Sequence, residues 1–409
     1  MPKLSAAGKK ALDDLVAETI QSGRLPGFVL AVSNVDEQIY ANAGGNKTYG
    51  DANSPPVTPD SLFWICSMTK LLVGLAALQL IEQGKLSFDT PVADIFPEFK
   101  DPVVLKDYYT NPNPTYEPAK EAITVLHLLT HSSGLYYKMG GAPDSLPSSY
   151  THDFTKENKY SEFFELLKGE YPGIPLVFEP GTGFSYGYSS DVLGFIVEKV
   201  SGQSLEAYSK KNIFEPIGVK STTYHLTAEG KDRLVDLCFR NEDDSISAWE
   251  ERSPLIQRYP GPVNAYLGGV GCYSTLPDYL AILRHLLQIE AGCDVPNAIL
   301  TRDTVKSLFA PKLGPAGSFA LSFLIQAVVK MTFNQPNWST ALAITTTELE
   351  GRRKPGSGFW SGWAGTYYFL DPASGIALVF GSQVVPPMDP LATEISDKAE
   401  RIVYAHLED

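Results

Sequence analysis

A serine and a lysine three positions apart open the most apolar stretch of this 409-residue chain. The tetrapeptide Ser67-Met68-Thr69-Lys70 leads directly into a run of apolar residues that extends to Ile81. Because the run is apolar on every side, it predicts a buried helix, and Gly84 stands where a C-terminal cap would fall. Ser67 would then lie at the N-terminus of this helix, with Lys70 on the same face one turn later.

This arrangement suits nucleophilic catalysis. The unpaired N–H groups and the positive end of the helix dipole favour negative charge that develops at Ser67. The same field, together with burial, disfavours an ammonium at Lys70 and therefore favours a base there. No other serine of the sequence has a lysine three positions on. Taken alone, the stretch also fits a helix start whose lysine extends to solvent.

A second serine lies in a G-x-S-x-G pattern at residues 183–187. A nucleophile elbow requires a buried strand before the serine and a helix directly after it. Here a loop precedes Ser185, and the next apolar helix begins only near Val192, which argues against Ser185 as the nucleophile. The glycines instead form a tight turn that can present the phenol of Tyr186 to a cleft as a second base. Packing is the alternative role for Tyr186 and for Tyr188.

A third stretch could supply a backbone donor for an oxyanion. Residues 360–366 read Trp-Ser-Gly-Trp-Ala-Gly-Thr, with small residues between bulky ones. A strand of this kind can offer a backbone N–H to a nucleophile that faces it. A glycine-marked bulge in an edge strand is the other interpretation.

The composition limits the other function classes. The net charge is −14, with 20% charged and 44% hydrophobic residues, and no basic run extends beyond residues 352–354. We therefore expect neither nucleic acid nor a membrane as partner. The histidines form no H-E-x-x-H pattern, so we expect no metal site. The cysteines show no C-x-x-C spacing and the N-terminus shows no apolar signal core, which predicts a soluble, cytoplasmic protein.

The periodicity of the remaining segments predicts a sheet that both ends of the chain build. Helices are predicted at 5–22, 123–131, 194–202, 205–213, 276–290 and 390–407, strands at 28–32, 38–41, 340–347, 359–370 and 376–383, and turns at 34–37 and 371–375. We expect an α/β fold of the α+β type, in which helices flank an antiparallel sheet. The predicted division is a sheet domain at 1–88 and 262–409, with a mostly helical inserted domain at 89–261.

Taken together, the motifs identify a family. The S-M-T-K tetrapeptide, the L-L-T-H-S-S-G-L segment, the Y-G-Y-S-S-D-V-L-G segment and the small-residue strand near the C-terminus resemble the serine β-lactamase and penicillin-binding-protein superfamily. Within it, the chain is most similar to the family VIII carboxylesterases and to the fungal acyltransferase of lovastatin synthesis. The resemblance extends over nearly the whole chain and implies a β-lactamase/transpeptidase-like fold.

The resemblance also implies a mechanism. Lys70 and Tyr186 together would deprotonate Ser67, which attacks an ester carbonyl. The backbone N–H groups of Ser67 and Trp363 would hold the oxyanion, and no cofactor takes part. The implied partners are a small-molecule ester or acyl donor and, for acyl transfer, an alcohol acceptor. The oligomeric state is left open.

Two departures from the family pattern bear on the substrate. The chain has Tyr186-Gly187-Tyr188 where penicillin-recognising enzymes carry Y-x-N, and Trp360-Ser361-Gly362 where they carry K-T-G. Losing that cation removes a partner for a substrate carboxylate, and tryptophan offers an apolar wall instead. We therefore expect Trp360, Gly362 and Tyr188 to contact a neutral, largely apolar ester. A β-lactamase, a D-Ala-D-Ala-type peptidase and a catalytically silent binding or assembly member of the fold are the alternatives.

Overall fold

A computed structural model describes residues 2–137, 147–249, 256–326, 335–387 and 389–408. Seven strands of the described residues form the central sheet, and they come from both ends of the chain. The strands of the described residues are β1 (Lys3–Leu4), β2 (Gly27–Ser33), β3 (Gln38–Gly45), β4 (Phe63–Trp64), β5 (Val103–Leu105), β6 (Tyr116–Pro118), β7 (Pro175–Leu176), β8 (Cys238–Arg240), β9 (Ile246–Ala248), β10 (Tyr273–Ser274), β11 (Asn337–Trp338), β12 (Ala343–Ile344), β13 (Gly358–Gly362), β14 (Thr366–Asp371), β15 (Ile376–Gly381), β16 (Val384–Val385) and β17 (Leu407–Glu408). The order of the central sheet is β11-β12-β13-β14-β15-β2-β3, and every neighbouring pair is antiparallel.

Helices cover this sheet and build the middle of the chain. In the described residues they are α1 (Ala6–Gln21), α2 (Thr69–Glu82), α3 (Val125–Leu129), α4 (Lys159–Lys168), α5 (Ser189–Ser201), α6 (Leu205–Ser209), α7 (Glu215–Ile217), α8 (Ala228–Arg233), α9 (Leu276–Ala291), α10 (Arg302–Ser307), α11 (Pro315–Leu324) and α12 (Pro390–Ala405). Helices α1 and α12 pack on each other and on the sheet, while α9 packs against β15 and β2. Helix α2 packs against α5.

Helix α2 is the buried helix that the apolar run predicts. Twelve of its fourteen residues, from Thr69 to Leu80, are buried. A fully buried leucine contributes about 1.5–3 kcal/mol relative to an exposed one, so this run anchors the residues that precede it. Gly84 follows the helix with φ +68, as a terminating glycine should.

Most predicted elements near the sheet agree with the structure, and two of the predicted strands need correction. The predicted turn at 34–37 joins β2 to β3, and the one at 371–375 joins β14 to β15. The single strand predicted at 359–370 is wrong, because the chain reverses there and forms β13 and β14. Gly365, with φ +68, makes the turn between them. The strand predicted at 340–347 shortens to Ala343–Ile344.

The division into domains stays a proposal: a sheet domain at 1–88 and 262–409 and an inserted domain at 89–261. Within the described residues, the second part contains helices α3 to α8 together with short strands. One of these strands, β8, pairs with β16 from the C-terminal part. None of the described helices is both long enough and apolar enough to span a membrane.

Candidate active site

Ser67 and Lys70 are in direct contact in a buried position. The Lys70 Nζ atom lies 3.0 Å from Ser67 Oγ. Ser67 is 8% exposed and Lys70 is 4% exposed, so both side chains are largely removed from water. The S-x-x-K spacing therefore brings the hydroxyl and the amine within hydrogen-bonding distance, as a nucleophile and its base require.

A short turn, and not the helix itself, carries the serine. Ser67 lies in a 3₁₀ turn formed by Cys66–Met68, and helix α2 begins at Thr69. Cys66 has φ +46, a left-handed conformation that is unfavourable for a residue with a side chain. The turn leaves strand β4, which pairs with β10, so the loop before β10 lies beside the serine.

That loop supplies the second partner of Lys70. The Nζ atom donates a hydrogen bond to the Gly269 carbonyl oxygen at 2.8 Å. The N–H of Gly269 donates to Asp191 Oδ1, also at 2.8 Å. The backbone of one residue, Gly269, thus connects Lys70 to a carboxylate near the start of α5. Asp191 is fully buried, and burial raises the pKa of its carboxyl to about 6 although the charge of Lys70 opposes this shift.

Two tyrosines continue the polar network from Asp191. The Tyr150 hydroxyl donates to Asp191 Oδ2 at 2.7 Å and lies 2.7 Å from the Tyr137 hydroxyl. The ring centroid of Tyr137 lies 5.8 Å from Lys70 Nζ, so the network curves back toward the amine. Burial raises the pKa of both phenols well above the usual value, which keeps them neutral hydrogen-bonding groups.

Tyr186 faces Lys70 with its ring. Its ring centroid lies 4.6 Å from Lys70 Nζ, within the range of a cation–π contact. The Tyr186 hydroxyl accepts a hydrogen bond from Trp360 Nε1 at 2.9 Å. Gly187 explains the local fold: a Cβ atom there would lie 2.4 Å from the Leu135 carbonyl oxygen. Only glycine permits this approach of the Tyr186 loop to the L-L-T-H-S-S-G-L segment.

His131, from the L-L-T-H-S-S-G-L segment, supports the tyrosine loop. Its carbonyl oxygen accepts a hydrogen bond from the Ser185 N–H at 3.0 Å, and its ring centroid lies 5.3 Å from that of Tyr186. Burial, with a further contribution from Lys70, lowers the pKa of His131 to about 3. The imidazole is therefore neutral at physiological pH. The hydrogen bond between Ser185 and His131 joins their backbones, so it does not give the serine hydroxyl the histidine base that a triad requires.

The turn between β13 and β14 lies against the serine. A Cβ atom at Gly362 would lie 2.5 Å from the Ile65 carbonyl oxygen, so the glycine lets the two backbones meet. Trp363 follows in the turn, and its ring centroid lies 5.8 Å from that of Trp64. The Trp363 backbone also lies within hydrogen-bonding reach of the side chain of Cys66, which directly precedes Ser67.

The three residues predicted to contact substrate are all buried, but they differ in their neighbours. Trp360 is 7% exposed and contacts the Tyr186 ring at 5.1 Å between centroids. Gly362 lies between the β13–β14 turn and the serine segment. Tyr188 is also 7% exposed, and its hydroxyl accepts a hydrogen bond from Ser149 Oγ at 2.6 Å. The structure brings Trp360 and Gly362 beside the catalytic candidates, whereas Tyr188 packs among aromatic rings behind them.

A cavity of about 750 Å³ adjoins this group of residues. Tyr150 and Trp249 line it, and the Trp249 ring centroid lies 5.4 Å from that of Trp363. Arg258 also lines it, with its guanidinium carbon 5.8 Å from the Trp64 ring centroid. Desolvation lowers the pKa of Arg258, and its Nη2 donates to the Val235 carbonyl oxygen at 3.1 Å.

Sequence reasoning missed Asp191, Gly269 and Arg258. Gly269 and Arg258 lie about 200 residues from Ser67 along the chain, and neither has a motif of its own. Asp191 stood within the Y-G-Y-S-S-D-V-L-G segment, five residues after Tyr186. A carboxylate so early in an apolar helix was the one available signal, because such a group needs buried partners.

Comparison with known proteins shows which protein family the chain belongs to. The model of the Beta-lactamase family matches residues 12–400. The chain belongs to the Beta-lactamase family. A lovastatin esterase from Penicillium rubens is 28% identical over 392 residues, which cover 92% of this chain and 94% of that protein. A monacolin J acid methylbutanoyltransferase from Aspergillus terreus is 26% identical over 409 residues, 95% of this chain and 94% of the relative.

Solved structures of the family share the fold. The unliganded simvastatin synthase LovD of Aspergillus terreus superposes with a TM-score of 0.79 at 24% identity, over 98% of this chain and 99% of that one. EstCE1, a hydrolase with promiscuous acyltransferase activity, gives a TM-score of 0.77 at 21% identity, over 98% and 100%. These findings confirm the predicted family and fold, and the curated relatives are esterases and acyltransferases, as predicted.

Proposed function

We propose that the chain is a serine esterase or acyltransferase that acts through an acyl-enzyme on Ser67. The contact of 3.0 Å between Lys70 Nζ and Ser67 Oγ in a buried site is the observation that carries this proposal. In such a site the hydroxyl has a base within reach, and water does not compete for either group. Membership of a family whose curated relatives are esterases and acyltransferases supports the same conclusion.

The first half-reaction transfers the acyl group to the enzyme. Lys70, assisted by the phenol of Tyr186, takes the hydroxyl proton as Ser67 Oγ bonds to the ester carbonyl carbon. The carbonyl electron pair moves to oxygen, which becomes an oxyanion. When the intermediate collapses, the bond to the alkoxide breaks, and the alkoxide leaves as an alcohol with the proton from the base. Water or a second alcohol then repeats these steps on the acyl-enzyme and restores the Ser67 hydroxyl.

The backbone supplies the oxyanion donors in this proposal. They are the N–H groups of Ser67 and Trp363, and the Trp363 backbone lies close enough to the serine segment to interact with the Cys66 side chain. One such donor is worth about 3–4 kcal/mol of transition-state stabilisation in a serine hydrolase. The tight approach of Gly362 to Ile65 supports this assignment, because it holds the Trp363 turn against the serine segment.

The substrate we propose is a neutral, largely apolar ester. Trp360 presents an indole beside Tyr186, and the family's usual cation is missing from β13. One relative is named a lovastatin esterase, and another is named a monacolin J acid methylbutanoyltransferase. By analogy, we propose a small acyl group and a bulky alcohol, since a cavity of about 750 Å³ adjoining the Trp363 turn is of the size that holds such a ligand.

We also propose that the enzyme works in the cytoplasm. All four cysteines are free thiols, and three of them, Cys66, Cys238 and Cys272, are buried. Thiols that are kept reduced are typical of that compartment. Fractionation of the source cells, followed by detection of the protein, tests this assignment, and recovery with secreted proteins would contradict it.

A panel of p-nitrophenyl esters tests the proposed function. We expect nitrophenol release by the unaltered protein and loss of that activity to background in Ser67→Ala. Ser185→Ala is the matched control, since Ser185 is equally buried and has the stronger-looking motif; its kcat should stay within about threefold. Adding alcohols should yield new esters if transfer competes with hydrolysis. Full activity in Ser67→Ala, or no activity on any ester, would contradict the proposal.

A further inference from the structure

A buried glutamine joins the two segments that carry the proposed oxyanion donors. Gln383 follows β15 and is fully buried. Its Nε2 donates to the carbonyl oxygens of Trp64 at 3.0 Å and Ala364 at 3.1 Å, and its Oε1 accepts from the Trp64 N–H at 3.1 Å. Trp64 lies three residues before Ser67, and Ala364 directly follows Trp363. One side-chain amide therefore joins the backbone just before Ser67 to the backbone just after Trp363.

Neighbouring contacts seat the Trp363 turn on the same segment. The Ser382 N–H donates to the Gly365 carbonyl oxygen at 3.0 Å. A Cβ atom at Gly365 would lie 2.6 Å from Ser382 Oγ, so the turn contacts this segment closely. On the other side, Thr366 Oγ1 donates to the Ile65 carbonyl oxygen at 3.4 Å. The turn is thus held between residue 382 and the chain that leads into the serine.

Two residues of this arrangement have a left-handed backbone conformation. Gln383 has φ +54 and Cys66 has φ +46. The left-handed region is unfavourable for residues that have a Cβ atom, and such conformations persist where the surrounding contacts over-determine them. The three hydrogen bonds of the Gln383 amide are contacts of that kind, and Cys66 directly precedes Ser67.

We propose that Gln383 is a positioning residue that sets the distance between the two oxyanion donors. The inference rests on the proposed function, because it takes the N–H groups of Ser67 and Trp363 as those donors. An oxyanion donor must lie about 2.7–3.1 Å from the oxygen that it stabilises. Misplacement by 1 Å can cost about 100-fold in rate, even when its cause lies outside the reacting groups. Gln383 does not touch the substrate and acts through the backbone on either side.

A second buried glutamine provides a matched control. Gln79, on α2, is 6% exposed, and its Nε2 donates to the Asn212 and Ile299 carbonyl oxygens at 2.8 and 3.0 Å. Gln79→Leu and Gln383→Leu therefore each remove two donated hydrogen bonds from the interior. We expect both variants to lose stability to heat, whereas only Gln383→Leu should affect the chemical step.

The experiment measures the inhibition constant of a transition-state analogue together with kcat and KM. An alkyl boronic acid forms a bond from Ser67 Oγ to boron, and one oxygen of the tetrahedral adduct occupies the oxyanion position. For Gln383→Leu we expect kcat to fall by about 10- to 100-fold with KM within about threefold, because the ground state makes little use of the donors. The boronate Ki should rise by the same factor as kcat/KM falls. Gln79→Leu should keep kcat and Ki within about threefold.

Gln383→Glu serves as a second variant of nearly unchanged size. It keeps an oxygen for the Trp64 N–H and loses the two donated bonds, so the same loss of kcat is expected if Gln383→Leu does not fold. A kcat and boronate Ki within about threefold of the unaltered enzyme in the folded variant would overturn the inference. Equal losses in Gln79→Leu would overturn it too. Failure of the proposed function is distinguishable, since Ser67→Ala would then remain active.

Discussion

The Lys70 amine stands between two acceptors, the Ser67 hydroxyl oxygen at 3.0 Å and the Gly269 carbonyl oxygen at 2.8 Å. A neutral amine that gives one hydrogen to Gly269 can turn its lone pair toward the serine hydroxyl. The Tyr186 ring covers the amine from one side, at 4.6 Å from its centroid. At the scale of single residues, these contacts fix the orientation of the base, and the proposed proton path runs through Lys70 and Tyr186 together.

A double-mutant cycle tests this shared path. General base assistance contributes about 10²–10⁴-fold, so Lys70→Ala and Tyr186→Phe should each lower kcat by a factor in that range. Because both residues act on one proton, the double variant should be much less damaged than the product of the two single losses. Circular dichroism should show an intact fold in all three variants. Losses that multiply would show independent action and contradict the shared path.

Asp191 makes a prediction about stability and pH. Burial raises the pKa of its carboxyl to about 6, above the ordinary value of 3.8, so folding favours the protonated form. Stability from this group is fully present below about pH 3.8 and is lost as pH rises through 6, which costs on the order of 3 kcal/mol at neutral pH. The Tm of Asp191→Asn, relative to the unaltered protein, should therefore increase from pH 4 to pH 8. A Tm difference that does not change with pH would contradict this prediction.

At the scale of elements, the sequence predicted those features that depend only on residues close together in the chain. The apolar run of α2 and the turns on either side of the hairpin strands were readable, because helix burial and turn chemistry are local properties. The β13–β14 reversal was not, since aromatic residues on both sides of Gly362–Gly365 gave one continuous strand-like pattern. The partners of Lys70 were not readable either, because the β4–β10 pairing that brings Gly269 to the site joins distant segments.

The contact between the tyrosine loop and the L-L-T-H-S-S-G-L segment predicts the effect of a single methyl group. In Gly187→Ala, the new Cβ atom would meet the Leu135 carbonyl oxygen at 2.4 Å and Tyr136 Cα at 2.5 Å, which forces the two segments apart. Displacing Tyr186 should lower kcat by about 10-fold or more. Gly314→Ala is the control, because no atom lies within 4 Å of its Cβ position and its φ is −69. Equal kcat values for both variants would contradict this account.

At the scale of the whole molecule, the two ends of the chain meet. Strand β1 pairs with β17, and β2 of the N-terminal part pairs with β15 of the C-terminal part. The proposed catalytic residues accordingly come from widely separated segments: Ser67 before α2, Tyr186 before α5 and Trp363 in the β13–β14 turn. The basic residues at 352 and 353 do not reach this site, because both pair with Glu400 of α12.

The charge distribution predicts the substrate class. Recognition of a carboxylate, as in penicillins, usually takes a cation or a hydroxyl cluster beside the oxyanion strand, and here Trp360 and Trp363 lie there instead. A net charge of −14 further disfavours anionic ligands, although physiological salt largely screens it. We expect kcat/KM for a p-nitrophenyl butyrate-type ester to exceed that for nitrocefin greatly on the same preparation. An equal or higher value for nitrocefin would contradict this and would point to Arg258 as a carboxylate partner.

Covalent labelling tests the central claim, that Ser67 carries the acyl group. Incubation with an organophosphonate should add one mass increment to the protein, and peptide mapping should locate it on the peptide that contains Ser67. Its buried contact with Lys70 makes this hydroxyl the activated one. The label should be absent in Ser67→Ala and present in Ser185→Ala. A label on Ser185 or elsewhere in the unaltered protein, or labelling that survives in Ser67→Ala, would contradict the claim.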